Sequence, residues 1–182
     1  ADPNSCLDAQ LGLKAEKSVG RVREDVREEV KQGLAGISKQ ELLRLKIAES
    51  LVEARGFDLI AMGRPEGPGC YCYANNVLKS VIAEISGQYP HVVLDNEAGL
   101  ENLSRRIVQK VDLLVMVTDP SNAGMDTLKR LFILAREMEI KYDRLVIAIN
   151  RLKGGLPPRI AEIRDFARVD ELLVLPDDPE IT

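Results

Sequence analysis

Tryptophan is absent from the 182 residues and aromatic side chains make up only 4%. Aliphatic packing must therefore carry the core. One histidine, His91, excludes a histidine-rich metal store. Three cysteines are too few and too uneven for a disulfide scaffold, so reduced thiols in the cytoplasm are expected. No apolar run is long enough to span a bilayer, and the first residues, ADPNSCLDAQ, lack the basic and apolar regions of a signal peptide. Net charge is −4, so the overall balance gives no support for a nucleic-acid face. A further absence concerns phosphate: G-x-x-x-x-G-K-[ST] appears nowhere, and Lys153-Gly154-Gly155 has the wrong order and no hydroxyl partner.

Hydrophobic residues make up 45% and charged residues 30%, ordinary values for a globular chain. Five short apolar runs stand out, at Phe57–Met62, His91–Leu94, Leu113–Val117, Leu145–Ile149 and Leu172–Leu175. They are nearly continuous, as in strands of a parallel sheet buried on both faces. Helical patterns separate them. Ser38 and Glu41 form a capping box ahead of Leu42, Leu45, Ala48 and Val52 at helical spacing. Ala74, Val77, Leu78, Val81, Ile82 and Ile85 make a second stripe. Leu128, Leu131, Phe132, Ala135 and Met138 make a third. Pro158 suits the start of a last helix, through about Phe166. Residues 16–32, rich in both charge signs, predict a solvated helix or a mobile segment. The alternation predicts a single three-layer α/β/α domain over residues 1–182, with function at the C-terminal ends of the strands.

Those strand ends carry the motifs. Met62 is followed by Gly63-Arg64-Pro65-Glu66-Gly67-Pro68-Gly69-Cys70-Tyr71-Cys72. Glycine and proline fix a tight loop that delivers two thiols to a helix start, where the thiolate is favoured. The alternative is that Cys70 and Cys72 are small buried hydrophobes. Two thiolates leave a tetrahedral site half built, and Cys6 stands in a different motif. A two-fold axis near the loop would complete four sulfurs from two chains, for zinc, nickel or Cu(I).

Leu94 is followed by Asp95-Asn96-Glu97-Ala98-Gly99. This has the form of a Walker B aspartate with a switch behind it, Asp95 holding Mg²⁺ through water. It also reads as a strand-end Asp capping a helix at 103–108. Asn150 offers a purine edge both a donor and an acceptor, or is a plain turn residue. Pro176-Asp177-Asp178 reads as a turn, and Thr118-Asp119-Pro120-Ser121 as a cap for the next helix.

Taken in order, ADPN, GRPEGPGCYCYANN, DNEAGLENLSRR, VTDPS, INRLK and LPDDPEI resemble the CooC-type nickel-insertion ATPases. These belong to the deviant-Walker P-loop group with MinD and ParA. The resemblance covers essentially the whole chain, and its specific parts are the G-C-x-C loop and the D-x-E-A-G stretch. It implies a P-loop NTPase-type fold whose first strand–P-loop–helix and C-terminal helix fall outside these residues. It implies that Asp2 positions the attacking water and that Asp95 serves Mg²⁺. Asn150, with Arg151, would contact the adenine of ATP or ADP, and Pro176 and Asp177 would close over it. Cys70 and Cys72 would hold Ni²⁺ or Zn²⁺ in a homodimer. The client would be apo carbon monoxide dehydrogenase or acetyl-CoA synthase, with no nucleic-acid or membrane partner. Without the P-loop, the 182 residues are expected to hydrolyse no ATP. Two other readings stand beside this one: a partition or positioning ATPase of the MinD/ParA type, and a non-catalytic metal-binding scaffold.

Overall fold

The computed structural model describes residues 6–33, 36–63, 72–96 and 110–180, with the backbone alone for 72–78. The chain divides into two compact units, Ala1–Ala98 and Gly99–Thr182.

The first unit contains α1 (Leu7–Gln10), α2 (Val19–Lys31), α3 (Lys39–Ala48), β1 (Val52–Ala54), β2 (Phe57–Leu59) and α4 (Cys72–Ser86). The charged stretch at 16–32 is helical. Ser18 caps α2 by accepting the Arg21 N–H at 3.3 Å. Val19, Val22 and Val26 recur every three or four residues and are buried, so the helix is solvated on one side only. The capping box of α3 forms as expected: Ser38 accepts the Glu41 N–H, and the Glu41 carboxylate accepts the Ser38 N–H. The buried stripe of α3, however, is Leu43 and Ile47, while Leu45 is 55% exposed. Leu43 and Ile47 are an i, i+4 pair in one cluster with α2; of the expected stripe Leu42 packs against that cluster, Leu45 and Ala48 do not, and the helix stops before Val52. In α4, Val81 is buried in the same cluster, with Ile82 and Ile85 packed against it. Ala74, Val77 and Leu78 lie outside the residues whose side chains are described.

Among the described residues, neither of the two parallel strands expected in this unit joins a parallel ladder. β2 pairs antiparallel with β1, joined through Arg55 and Gly56, the latter at φ +92°. The rest of that run is engaged elsewhere, because the Ala61 and Met62 carbonyls accept the Val19 and Gly20 N–H groups at 2.9 Å. These donors are among the first-turn N–H groups that a helix leaves unsatisfied. The run 91–94 lies in no helix and belongs to no ladder among the described residues, and Val93 is 88% exposed.

The second unit is β3 (Lys110–Thr118), α5 (Asn122–Glu137), β4 (Lys141–Leu152), α6 (Arg159–Ala167) and β5 (Glu171–Pro176). Its three strands are parallel, in the order β3-β4-β5. α5 and α6 share one cluster with the sheet: Leu128 and Phe132 from α5, Ile160 and Ile163 from α6, Met116 from β3, and Leu145, Ile147 and Ile149 from β4. The third stripe therefore packs as its spacing predicts, and the rings of Phe132 and Phe166 meet edge to face at 5.5 Å. Pro158 stands at the N-cap of α6. Burial on both faces holds only for the central strand, where Leu145–Ile149 is buried throughout. In β3, Met116 is buried while Leu113, Val115 and Val117 are exposed, and Leu173 and Leu175 of β5 are exposed too. The two flanking strands are covered by these helices on one side alone.

Candidate functional site at the ends of β3 and β4

A parallel ladder aligns strand ends that are distant in sequence. Thr118 pairs with Ile149, which sets Asp119 beside Asn150 and Arg151. Between them and the first turn of α5 lies an open cavity of about 440 Å³, within the size of ordinary small-molecule sites. It is lined by Thr118, Asp119, Ser121, Gly124, Asn150 and Arg151, among others.

Each wall has a local cause. Ser121 caps α5, its Oγ accepting the Gly124 N–H at 3.0 Å. Asp119 Oδ1 accepts the Ser121 N–H at 2.8 Å. Hydrogen bonding from Ser121, and then the positive charge of Arg151, hold the Asp119 carboxyl below its ordinary range. Thr118 is buried and its hydroxyl donates to the Asp119 carbonyl at 3.2 Å. On the β4 side the ladder breaks between Ile149 and Leu152. Arg151 there adopts φ +57°, a left-handed conformation uncommon away from glycine. Asn150 Oδ1 accepts the Arg151 N–H at 3.0 Å, leaving the amide NH₂ for other partners.

The residues singled out from the sequence are placed unevenly. Asn150 and Arg151 are brought together in the cavity wall. Pro176 ends β5 opposite Leu152, and the Asp177 N–H donates to the Leu152 carbonyl at 3.2 Å. The Asp177 carboxylate pairs with Lys153 at 3.0 Å. These two residues adjoin the end of β4 without lining the cavity. Asp95 is exposed, in the segment 91–96 that lies outside any helix or strand. Asp2 and Cys70 lie outside the described residues, and Cys72, the first residue of α4, is described by its backbone alone. Cys6 is exposed. Among the described residues no group of three or more His, Cys, Asp or Glu side chains is placed to hold a metal ion. No helix among them is long and apolar enough to cross a membrane.

The segment Thr118–Ser121, expected as a helix cap, is one through Ser121 and is also a wall of the cavity. Gly124 belongs to no motif of the sequence. Its signal was available, since glycine in the first turn of a long helix is costly and suggests a need for space.

The chain is 46% identical over 155 residues to an uncharacterized ATP-binding protein of Methanocaldococcus jannaschii, a match covering 84% of this chain and 61% of that protein. It is 29% identical over 153 residues to the carbon monoxide dehydrogenase accessory protein CooC of Rhodospirillum rubrum, covering 78% of this chain and 58% of CooC. The chain thus spans about three fifths of the length of these relatives. No family model matches. Among solved structures, the cell division ATPase MinD of Pyrococcus furiosus superposes with a TM-score of 0.57 at 19% identity, covering 99% of this chain and 70% of MinD. The fold is α/β, of the P-loop NTPase type. The cavity therefore sits where open α/β sheets bind ligands, at the C-terminal ends of parallel strands.

Proposed function

We propose that this chain acts as an ATP-binding accessory protein of the MinD/ParA group. It carries Ni²⁺ on Cys70 and Cys72 at a homodimer interface and delivers it, in the cytoplasm, to apo carbon monoxide dehydrogenase or acetyl-CoA synthase. The observation that carries the nucleotide part is the cavity joining Asn150 and Arg151 to the N-terminal turn of α5. The Asn150 amide suits a purine edge, and the M. jannaschii relative is named for ATP binding. Asp95 would hold Mg²⁺ through water, Asp2 would position the attacking water, and Pro176 and Asp177 would close over the base. The residues present contain no P-loop lysine, so no phosphoryl-transfer step is assigned to them, and no ATP turnover is expected of these 182 residues.

Nickel enters as cargo. The likeness to CooC supports this part, together with the glycine- and proline-rich sequence 63–72, whose second cysteine, Cys72, opens the 15-residue helix α4. A helix N-terminus favours thiolate over thiol. Two thiolates from each of two chains complete a four-sulfur site. Nucleotide would govern delivery by binding the closed and open dimers with different affinity.

A second reading, a positioning or partition ATPase, is favoured by the fold shared with MinD. The double variant Cys70→Ser/Cys72→Ser separates the two. The nickel reading expects about one Ni²⁺ per two chains in the parent, and loss of both metal and metal-dependent dimer in the variant. Undiminished metal binding and dimerisation in the variant would remove the nickel reading and leave the positioning one.

A further inference from the structure

The cavity at the ends of β3 and β4 is lined by two hydrogen-bonding groups of opposite sense, Asn150 and Asp119. On the β4 side, Asn150 Oδ1 is taken by the Arg151 N–H at 3.0 Å, so what remains for a ligand is the amide NH₂, a donor. On the β3 side, Asp119 Oδ1 is taken by the Ser121 N–H at 2.8 Å, and among the described residues no donor is seated on Oδ2. An ionised carboxylate can only accept. Hydrogen bonding from Ser121 holds the Asp119 carboxyl below its ordinary range, so it is ionised at neutral pH.

Packing fixes where this acceptor stands. A Cβ on residue 124 would lie 2.6 Å from both the carbonyl oxygen and Oδ1 of Asp119, and 2.8 Å from Thr118 Oγ1. Glycine there lets the Asp119 turn close onto the first turn of α5, where Ser121 Oγ accepts the Gly124 N–H at 3.0 Å. Thr118 pairs with Ile149, so Asp119 and Asn150 are the next residues of two neighbouring strands. Such strands run about 4.8 Å apart, which brings a donor and an acceptor within reach of one ring edge.

One edge of adenine has the matching order. Its N7 accepts and the adjoining 6-amino group donates, whereas a 6-oxo purine presents two acceptors, N7 and O6. We propose that Asp119 is a specificity-determining residue of the cavity: while Asn150 donates to N7, the Asp119 carboxylate accepts from the 6-amino group and rejects a base with oxygen in its place. This rests on the nucleotide reading above and adds to it which purine is taken and by which group. Rejection follows because O6 against a carboxylate sets two acceptors face to face, which is worse than a missing bond.

The test compares Mg·ADP with Mg·IDP, which differ on this edge at position 6 alone, by titration of the full chain in ¹H–¹⁵N spectra. The parent is expected to bind ADP about tenfold more tightly than IDP. In Asp119→Asn the side-chain oxygen still accepts the Ser121 N–H, and an NH₂ donor replaces the second carboxylate oxygen. ADP should then bind more weakly and IDP no more weakly than before, so the ratio falls to about one or inverts. Damage to the turn would weaken both nucleotides together and leave the ratio standing. Equal affinity of the parent for ADP and IDP overturns the assignment and leaves the cavity a nucleotide site. A preference undiminished in Asp119→Asn, whether or not both affinities drop, overturns it as well, since another group then reads position 6. Binding of neither nucleotide to the parent overturns the nucleotide reading, and the assignment with it.

Discussion

The two units solve the same packing problem by different means. In the first, helices α2, α3 and α4 bury an aliphatic cluster around Val22, Leu43, Ile47 and Val81. Polar ties run over its surface: Lys46 pairs with Glu29, and Arg44 with Glu84. Its two strands are three residues each. In the second, strands of six to twelve residues run parallel in register, and two helices seal one face. A register of parallel strands carries Thr118, Asn150 and Pro176 to neighbouring ends of one sheet, although they are far apart in sequence. Helix packing has no such edge. That is why Asn150, Arg151, Pro176 and Asp177 come to neighbouring ends in the second unit, while Asp95 of the first is exposed outside any helix or strand.

The largest test of this contrast removes core volume from each unit in turn. Ile147→Ala in β4 and Leu43→Ala in α3 should each cost about 3 kcal/mol, as buried aliphatic truncations do. Amide exchange should rise across β3–β5 for Ile147→Ala and across α2–α4 for Leu43→Ala. Acceleration spread evenly over both units in either variant would break the distinction between them.

A smaller test compares the two serine caps. Ser121→Ala and Ser38→Ala should each lower stability by about 1 kcal/mol in denaturant titrations. Both remove an acceptor from an N–H of a first helical turn, and the second also dissolves a reciprocal capping box. Only Ser121→Ala should also disturb the Asn150 and Arg151 amides, because only that cap borders the cavity.

The smallest effect is expected from acid. Hydrogen bonds from Ser38 hold Glu41 below the ordinary carboxylate range, Arg44 does so for Glu84, Ser121 for Asp119 and Arg159 for Asp126. A carboxyl whose folded pKa is depressed stabilises the fold above its unfolded pKa, and that contribution is lost as pH falls through the folded value. Thermal midpoints should therefore be flat near neutrality and decline below about pH 4, where unperturbed carboxylates titrate. A decline that began near pH 6 would place the responsible group elsewhere.

How much of this was legible in the sequence differs between the units. Three apolar runs became the three parallel strands, because each is long enough to pair and is followed or preceded by an amphipathic helix. Ser38-Glu41 and Pro158 marked helix starts correctly, since capping depends on neighbours three residues away. The runs at 57–62 and 91–94 misled because an apolar run states a wish for burial, not a partner. Gly56 turned the first into a short hairpin, and α2 claimed the carbonyls of Ala61 and Met62. At the site, Asn150 and Arg151 could be named from the strand end. On the opposite wall a glycine in the first turn of a long helix hints at a need for space, but what Gly124 approaches, the turn at Asp119, is set by the fold.

The proposed function stands or falls with the cavity between the ends of β3 and β4 receiving the base of an adenine nucleotide. Titrating the chain with Mg·ADP while recording ¹H–¹⁵N spectra tests it most directly, with the Asn150 side-chain NH₂ as the primary signal. Without a phosphate cradle, affinity on the order of a millimolar is expected. The account predicts saturating shifts confined to residues 117–127 and 150–151, abolished by Asn150→Ala. Saturating shifts that leave the Asn150 NH₂ and the first turn of α5 unmoved would contradict it.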